Sequence, residues 1–173
     1  MNESQALAVQ FQKFLLKWNE KGKQSHLAYK EAAESIIAWK RENRIKSVFN
    51  SPPSIVTATI DDSFGMGISV INLFSEALGL NVHFLGLYKT TGDILEACIR
   101  LNPSYLGLTV LQADTEEDIA FLSENLPSTV KIISGGPVYK MDPGFAQRAG
   151  VHFVAGNADA FIRFMLAQAG LAS

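Results

Sequence analysis

The segment "SIVTATIDDSFGMGISVINLFSEALGLNVHFLGL", from Ser54 to Leu87, contains one complete repeat unit of the fold. It opens with the β-branched run 54–60 and continues through 67–79, where apolar residues recur at helical spacing. It then closes with a second β-rich run at 81–87. Two carboxylates and two glycines separate the first run from the helix. A strand, a helix and another strand joined by short loops form a β-α-β unit with parallel strands.

The same alternation continues to the end of the chain. Three more β-rich runs occupy 105–111, 130–136 and 151–156, and ten or more residues with helical apolar spacing separate most of them. Continuous apolar strands are typical of parallel sheets that are covered on both faces, and crossovers in such sheets are right-handed. The sequence therefore predicts an α/β fold: a doubly wound, five-stranded parallel sheet of the flavodoxin-like Rossmann type.

The first 50 residues differ in character from the rest. Apolar side chains recur at helical spacing on both sides of the break "NEKGKQS", 19–25, which predicts a short N-terminal helix pair. The paired prolines of "NSPPS", 50–54, end the helical pattern. We therefore divide the chain into a helix pair at 1–50 and an α/β domain at 51–173. The aromatic side chains of the pair could pack on the sheet, cover a ligand or meet a second chain, and a homodimer or a protein partner is expected there.

Composition excludes several classes of function. Fifteen Lys and Arg stand against seventeen Asp and Glu, a balance that disfavours direct binding of nucleic acid. The single cysteine, Cys98, cannot form an internal disulfide, and we expect it to be a small buried hydrophobe. The sequence shows neither a leader peptide nor an apolar run long enough to span a membrane. A cytoplasmic protein without membrane contact is expected.

Ligands of doubly wound sheets bind beyond the carboxyl ends of the strands. Three segments follow predicted strands there: 61–67, 109–111 and 134–137. The first has no third glycine at the spacing that a dinucleotide fingerprint requires, and no Gly-Lys-Ser or Gly-Lys-Thr follows as in a P-loop. Thr109 stands where a receiver domain needs its phosphate-accepting aspartate. These three common uses of the architecture are thereby disfavoured.

Taken in order, the three segments resemble the signature of the cobalamin-binding domain family. That signature reads Asp-x-His-x-x-Gly, then Ser-x-Leu, then Gly-Gly, and this chain has Asp-x-Phe-x-x-Gly at 62–67, Thr-x-Leu at 109–111 and Gly-Gly at 135–136. The resemblance extends from about 54 to 170 and includes "FAQRAGVHFVAGNADAF" at 145–161. It implies a corrinoid cofactor. The positions that it assigns to cofactor binding are Asp62, Ser63, Phe64, Gly67, Thr109, Leu111, Gly135 and Gly136.

Within that resemblance, Thr109 and Leu111 would flank the channel for the nucleotide tail of the cofactor. The family histidine that ligates cobalt from below is replaced by Phe64, which has no lone pair to donate. The phenyl ring could lie against the lower face of a tetrapyrrole, fill the space of the lost ligand, or belong to the core. Asp62, without a histidine to orient, could cap the following helix. We expect Gly136→Leu to abolish binding and to leave the fold intact.

Three histidines are available to a metal. His83 and His152 fall within predicted strands and are interpreted as structural residues, whereas His26 opens the second N-terminal helix. Because helical modules of the family cap the upper corrin face, His26 is the one candidate for an upper metal ligand. A solvated residue at a helix start is the alternative interpretation.

The leading hypothesis is a sensor or carrier module that binds cobalamin, or a related tetrapyrrole such as haem, without histidine as the lower ligand. A binding module is favoured over a complete enzyme, since the sequence assembles no catalytic triad or pair and a bound cofactor would supply the chemistry. A corrinoid carrier for a separate methyltransferase is a further possibility. The alternative is a degenerate, cofactor-free interaction or signalling module of the same fold.

Overall fold

The structure, a computed structural model, describes residues 2–171 and shows five strands and eight α-helices in that range. The strands are β1 (Ser54–Thr59), β2 (Asn81–Gly86), β3 (Tyr105–Thr109), β4 (Lys131–Gly135) and β5 (Phe153–Val154). The helices are α1 (Glu3–Lys21), α2 (His26–Glu42), α3 (Met66–Leu78), α4 (Thr91–Leu101), α5 (Glu116–Asn125), α6 (Val138–Met141), α7 (Phe145–Arg148) and α8 (Ala158–Gln168).

All five strands are parallel, in the order β2-β1-β3-β4-β5. The chain adds β2 on one side of β1 and then returns to add β3 on the other side, so the strand order switches between β1 and β3. Ligands of doubly wound folds bind at such a switch point. The register pairs Thr59 with Thr109 and Thr109 with Gly135. These three residues therefore form one row at the carboxyl edge, as the flavodoxin-like prediction requires.

Two apolar cores lie on opposite faces of the sheet. One core includes Ile94, Leu106 and Ile119 and lies under α4 and α5. The other joins buried side chains of α1, α2, α3 and α8 in one continuous cluster. The central strand alternates between these faces, so that Leu106 and Leu108 face the first core whereas Tyr105 faces the second.

The N-terminal helix pair packs on α3 and α8. A capping box between Asn2 and Gln5 begins α1, and Gly22, with φ 78°, ends it. Phe11 and Trp18 are buried, and Trp18 makes an edge contact with Phe74 of α3 at a centroid distance of 6.0 Å. The pair thus buries these aromatic rings within one chain. A homodimer through these helices stays a prediction.

Candidate functional site

A cavity of about 370 Å³ opens at the carboxyl edge of the sheet, on the face covered by α3 and α8. It lies at the small end of the range of about 300–1,000 Å³ that is usual for ligand pockets. Its lining is mainly apolar and comes from β3, β4, α2, α3, α8 and the loop before α8. The contributing side chains include Val70, Ile71, Ile133, Ala158 and Phe161, whereas Leu108 contributes through its backbone because its side chain faces the opposite core. We call this cavity the rim pocket.

Glycines form the sheet side of the rim pocket. Gly107 lies within β3, two residues before Thr109, so the pocket reaches about 7 Å down the strand. Gly135 ends β4, where a Cβ atom would approach the carbonyl oxygen of Ala155 to 2.6 Å. A Cβ atom on Gly107 would lie 3.1 Å from Thr57 Cγ2 and 3.2 Å from Ile55 Cδ1, so neighbouring side chains already cover part of this backbone.

Thr109 lines the rim pocket with a hydroxyl group that has no partner. The whole residue Thr109 is 7% exposed, and its Oγ1 atom is buried without a hydrogen bond. Such an atom costs about 1–3 kcal/mol relative to a bonded one. The neighbouring Ser134 differs, because its Oγ donates to the carbonyl oxygen of Leu108 at 3.2 Å and accepts from the Tyr139 hydroxyl at 2.6 Å. Because the Oγ1 atom exposes almost no surface to the pocket, a ligand could engage this hydroxyl only after the Thr109 side chain rotates.

The loop between β1 and α3 is held by Asp62, which is 5% exposed. Its Oδ1 accepts the backbone N–H groups of Phe64 at 2.8 Å and Gly65 at 3.0 Å. Gly65 has φ 69° and precedes α3 without a side-chain cap. Asp62 therefore fixes the turn that leads into α3 but does not cap the helix, so the capping role expected from the sequence is wrong: its bonds go to Phe64 and to Gly65, which is itself the N-cap residue.

Phe64 projects from this loop with 87% of its surface exposed. The ring is neither part of a core nor among the residues that line the rim pocket. Two of the three interpretations of Phe64, core residue and filler of a vacated space, are therefore wrong. Ser63 and Met66 on either side are exposed as well. A ring presented to solvent beside a pocket is available for contact with a ligand.

Asp61 joins the loops that follow β1 and β3. Its carboxylate accepts the backbone N–H groups of Leu111 at 2.9 Å and Gln112 at 2.8 Å. This bridge positions Leu111, which lines the rim pocket and is partly buried. This role of Asp61 was not predicted, although a second carboxylate directly after a strand was the available signal.

The first turn of α2 lies at the mouth of the rim pocket. His26 Nε2 lies 2.6 Å from the carbonyl oxygen of Met66, so in the neutral ring Nε2 carries the proton and Nδ1 the lone pair. One turn later, the Tyr29 hydroxyl donates to Asp159 Oδ1 of α8 at 3.0 Å. Burial and the adjacent carboxylate raise the pKa of Tyr29. These two bonds tie α2 to α3 on one side and to α8 on the other.

The two remaining histidines lie away from the pocket. His83 is exposed on β2, at the edge of the sheet. His152 directly precedes β5, and its Nδ1 accepts the backbone N–H of Ile132 at 3.0 Å. Within residues 2–171, no group of three or more His, Cys, Asp or Glu side chains could hold a metal ion. None of the helices in that range has the length and apolarity needed to cross a membrane.

The predicted site residues fall into two groups. Asp62, Gly67, Thr109, Leu111, Gly135, Gly136 and His26 line the rim pocket, whereas Ser63 and Phe64 stand on the exposed loop beside it. The expectation that Gly136→Leu spares the fold is wrong. Gly136 has φ +128°, and a Cβ atom there would lie 2.0 Å from the carbonyl oxygen of Val110. Any side chain at this position would displace the strand ends.

Several residues that line the rim pocket were not predicted as site residues from the sequence. Tyr29, Gly107, Asn157 and Phe161 line the rim pocket from four different elements. Gly107 alone carried a signal, since a glycine inside a strand marks close approach of a backbone or ligand. The sequence pattern around Tyr29, Asn157 and Phe161 indicates only ordinary helical or loop residues.

No protein-family model matches the chain, and no curated protein matches its sequence. The solved structures that share its fold include the following two. A novel cobalamin-binding protein from Desulfitobacterium hafniense DCB-2 aligns with a TM-score of 0.73 at 21% identity, over 87% of this chain and 74% of the other. The monomethylamine corrinoid protein of Methanosarcina barkeri aligns with a TM-score of 0.61 at 17% identity, over 79% of this chain and 65% of the other. The likeness confirms the fold that the sequence resemblance implies.

Proposed function

We propose that this protein is a corrinoid-binding module whose rim pocket receives the nucleotide tail of the cofactor. The observation that carries the proposal is the rim pocket itself, with its unpartnered Thr109 hydroxyl at the switch point of the sheet. The two solved structures of the same fold are named as a cobalamin-binding protein and a corrinoid protein. Their names support a corrinoid as the ligand class to be tested first.

The residues present fit such a tail. The apolar side chains of α3 and α8 that line the pocket suit a flat aromatic base. A ring nitrogen of that base would give the Thr109 hydroxyl the partner that it lacks. The pocket is too small for a macrocycle, which would lie outside it. Haem has no such tail, so the pocket favours a corrinoid over haem.

In this arrangement the protein supplies no histidine to cobalt from the loop before α3, because Phe64 occupies that position. When bound, the corrinoid would supply the organometallic and redox chemistry of cobalt. The chain's part is to hold the tail, to present the loop 62–66 beneath the ring and to cover the pocket mouth with α2. His26, the candidate upper ligand from the sequence, is bonded through Nε2 to the Met66 carbonyl oxygen of that same loop, so the upper-ligand role would require α2 to move.

We propose further that the module acts as a sensor or carrier. The first turn of α2 is bonded to α3 through His26 and to α8 through Tyr29, and both side chains line the rim pocket. Filling the pocket would therefore act directly on the helix pair, which a protein partner could recognise. A separate methyltransferase is one such partner, in which case the module would carry the cofactor for it.

The test is retention of chromophore. The purified protein is mixed in turn with hydroxocobalamin, with cobinamide, which lacks the nucleotide tail, and with haem, then desalted and examined by ultraviolet-visible absorption. We expect stoichiometric retention of hydroxocobalamin and weak retention of cobinamide and haem. Equal retention of hydroxocobalamin and cobinamide would show that the pocket does not receive the tail. A colourless protein after all three would favour the cofactor-free interaction module.

A matched pair of glycine variants locates the site. Gly156 lines the rim pocket, has an ordinary φ angle and has no atom within 4 Å of a Cβ position. Gly156→Leu should therefore fold normally and reduce retention of hydroxocobalamin. Gly92→Leu is the control, because a Cβ there meets only Thr90 Oγ1 at 3.7 Å, in the first turn of α4. Equal retention by both variants would mean that the ligand binds elsewhere.

A further inference from the structure

We propose that Phe64 covers the lower axial position of the cobalt, which then has no lower ligand from the protein, from the cofactor's own base or from water. The inference rests on the proposed function, since it requires a corrinoid bound with its tail in the rim pocket. It assigns a positioning role to the most exposed aromatic side chain of the described residues, which is 87% exposed.

The first support is that the loop holds Phe64 outward. Asp62 Oδ1 accepts the N–H of Phe64 itself and that of Gly65, so the backbone on both sides of the ring's attachment is fixed. A Cβ atom on Gly65 would meet Leu87 Cδ2 at 2.6 Å, which shows that the loop rests on the segment after β2. Leaving a phenyl ring in water instead of burying it forgoes about 1.5–3 kcal/mol. A macrocycle lying on the ring would recover part of that free energy.

The second support is the lack of a competing donor. The Asp62 carboxylate is buried and bonded to the loop, and the bond from His26 Nε2 to the Met66 carbonyl oxygen leaves Nδ1 as the single free donor atom of that ring; a bond from Nδ1 to cobalt would appear as nitrogen splitting in the wild type. The tail base, when held in the rim pocket beside Thr109, is withdrawn from the metal. The exposed donors of the loop are then Ser63 Oγ and Met66 Sδ, a hydroxyl and a thioether that donate far more weakly than imidazole.

The consequence is electronic. A lower ligand donates electron density along the axis of the metal and so disfavours the electron-rich reduced state. Without that donor, reduction of the bound Co(II) to Co(I) becomes easier. The substitution of histidine by phenylalanine at this position would thus tune the module towards a reduced cobalt centre, rather than abolish its cofactor site.

The experiment measures coordination and reduction potential on the loaded protein. Hydroxocobalamin-loaded protein is reduced to Co(II) and examined by electron paramagnetic resonance, then titrated with a chemical reductant of known potential. A nitrogen ligand splits each cobalt line into three, because ¹⁴N has nuclear spin 1. We expect no such splitting in the wild type. Phe64→His should introduce the three-line splitting and shift the Co(II)/Co(I) potential to a more negative value.

Three further variants make the result specific. Phe64→Leu keeps an apolar side chain without the ring, and we expect it to admit water and to lower the potential by less than Phe64→His does. Phe121→His places the same substitution on the 45% exposed phenylalanine of α5, across the sheet, and should change neither measurement. A Ser63→Ala, Met66→Leu variant should leave the wild-type spectrum unchanged, and a changed spectrum would identify one of these side chains as a ligand.

Four results would overturn the inference while the proposed function stands. They are nitrogen splitting in the wild type, no change of spectrum in Phe64→His, a wild-type spectrum identical to that of Phe64→Leu, and a changed spectrum in the Ser63→Ala, Met66→Leu variant. If only haem is retained, the inference falls because it concerns cobalt. If no chromophore is retained, the proposed function itself fails, and that outcome is recognised in the absorption spectrum before any reduction is attempted.

Discussion

Replacing Thr109 by valine should stabilise the free protein and weaken its binding of cobalamin. The two effects have one cause, the buried Oγ1 atom of Thr109 that has no hydrogen-bond partner in the rim pocket. Valine has nearly the same shape but no hydroxyl group. Removing an unsatisfied polar atom raises the free energy of unfolding. Removing the donor that would meet the tail base in the proposed complex weakens binding.

The magnitudes follow from the burial of Thr109. An unsatisfied buried hydroxyl costs about 1–3 kcal/mol, so the free energy of unfolding should rise by up to that amount. In a chain of this length about 1 kcal/mol shifts Tm by roughly 2–4 °C. Oγ1 exposes almost no surface in the free protein, so the Thr109 side chain must rotate towards the tail, and the cost of that rotation reduces the net gain from the bond. A loss of about 1–3 kcal/mol corresponds to a Kd that is about 5- to 150-fold higher.

The assay combines thermal unfolding of the free protein with titration of hydroxocobalamin. Ser75→Ala is the matched control, because Ser75 Oγ is the other buried side-chain polar atom without a partner in residues 2–171. Ser75 is fully buried in α3 and does not line the rim pocket. We expect Ser75→Ala to raise Tm in the same direction as Thr109→Val and to leave Kd unchanged.

The reasoning is refuted if Thr109→Val lowers Tm and leaves Kd unchanged. That pair of results would mean that the hydroxyl has a structural partner, such as a bound water, and makes no contact with the tail. A fall in affinity equal in Thr109→Val and Ser75→Ala would point instead to a general effect on the helix that carries Gly67.

Two other predictions concern the fold. Gly136→Ala should destabilise the protein by several kcal/mol, because its Cβ atom would lie 2.0 Å from the Val110 carbonyl oxygen at φ +128°; an urea midpoint equal to that of the wild type would contradict the assigned backbone conformation. Arg148 bonds to Glu116 and Asp142 and holds the pKa values of both carboxyls below their usual range. A depressed carboxyl pKa gives stability above the unfolded-state pKa that is lost as the pH falls through the folded-state pKa. Urea unfolding between pH 7 and pH 3 should therefore show a steeper acid loss in the wild type than in Arg148→Gln, and parallel curves would show that the pairs contribute nothing.

The fold was largely predictable because each strand is marked in the sequence by a short β-rich, apolar run. All five predicted runs contain strands, and the longest disagreement is at β5, where the run 151–156 yields only Phe153–Val154. An outer strand pairs on one side alone, so periodicity cannot say how far its ladder extends. The two short helices α6 and α7 fill a connection in which four-residue turns leave too little pattern to detect.

The site was predictable only along the sheet edge. Residues directly after strands, such as Thr109 and Gly135, are placed by the sheet itself once the fold is known. Tyr29 and Phe161 come from helices that cross the pocket, and their approach depends on packing of the helix pair against α3 and α8. That packing is set by many small contacts without a local signature. The sequence left three interpretations of Phe64 open, because its exposure depends on the turn that Asp62 holds.

Asp62 links the two parts of the site and explains how the signature can keep its aspartate without its histidine. A carboxylate whose sole task was to orient an imidazole would be left unpaired in this chain and, being 5% exposed, would destabilise the fold. Here its Oδ1 instead bonds two N–H groups of the loop, and the residue also lines the rim pocket. The same bonds that shape the pocket rim therefore determine where position 64 points. Asp62→Ala should then reduce cobalamin retention and the effect of Phe64→His on the cobalt spectrum together, whereas independent effects would separate the pocket from the loop.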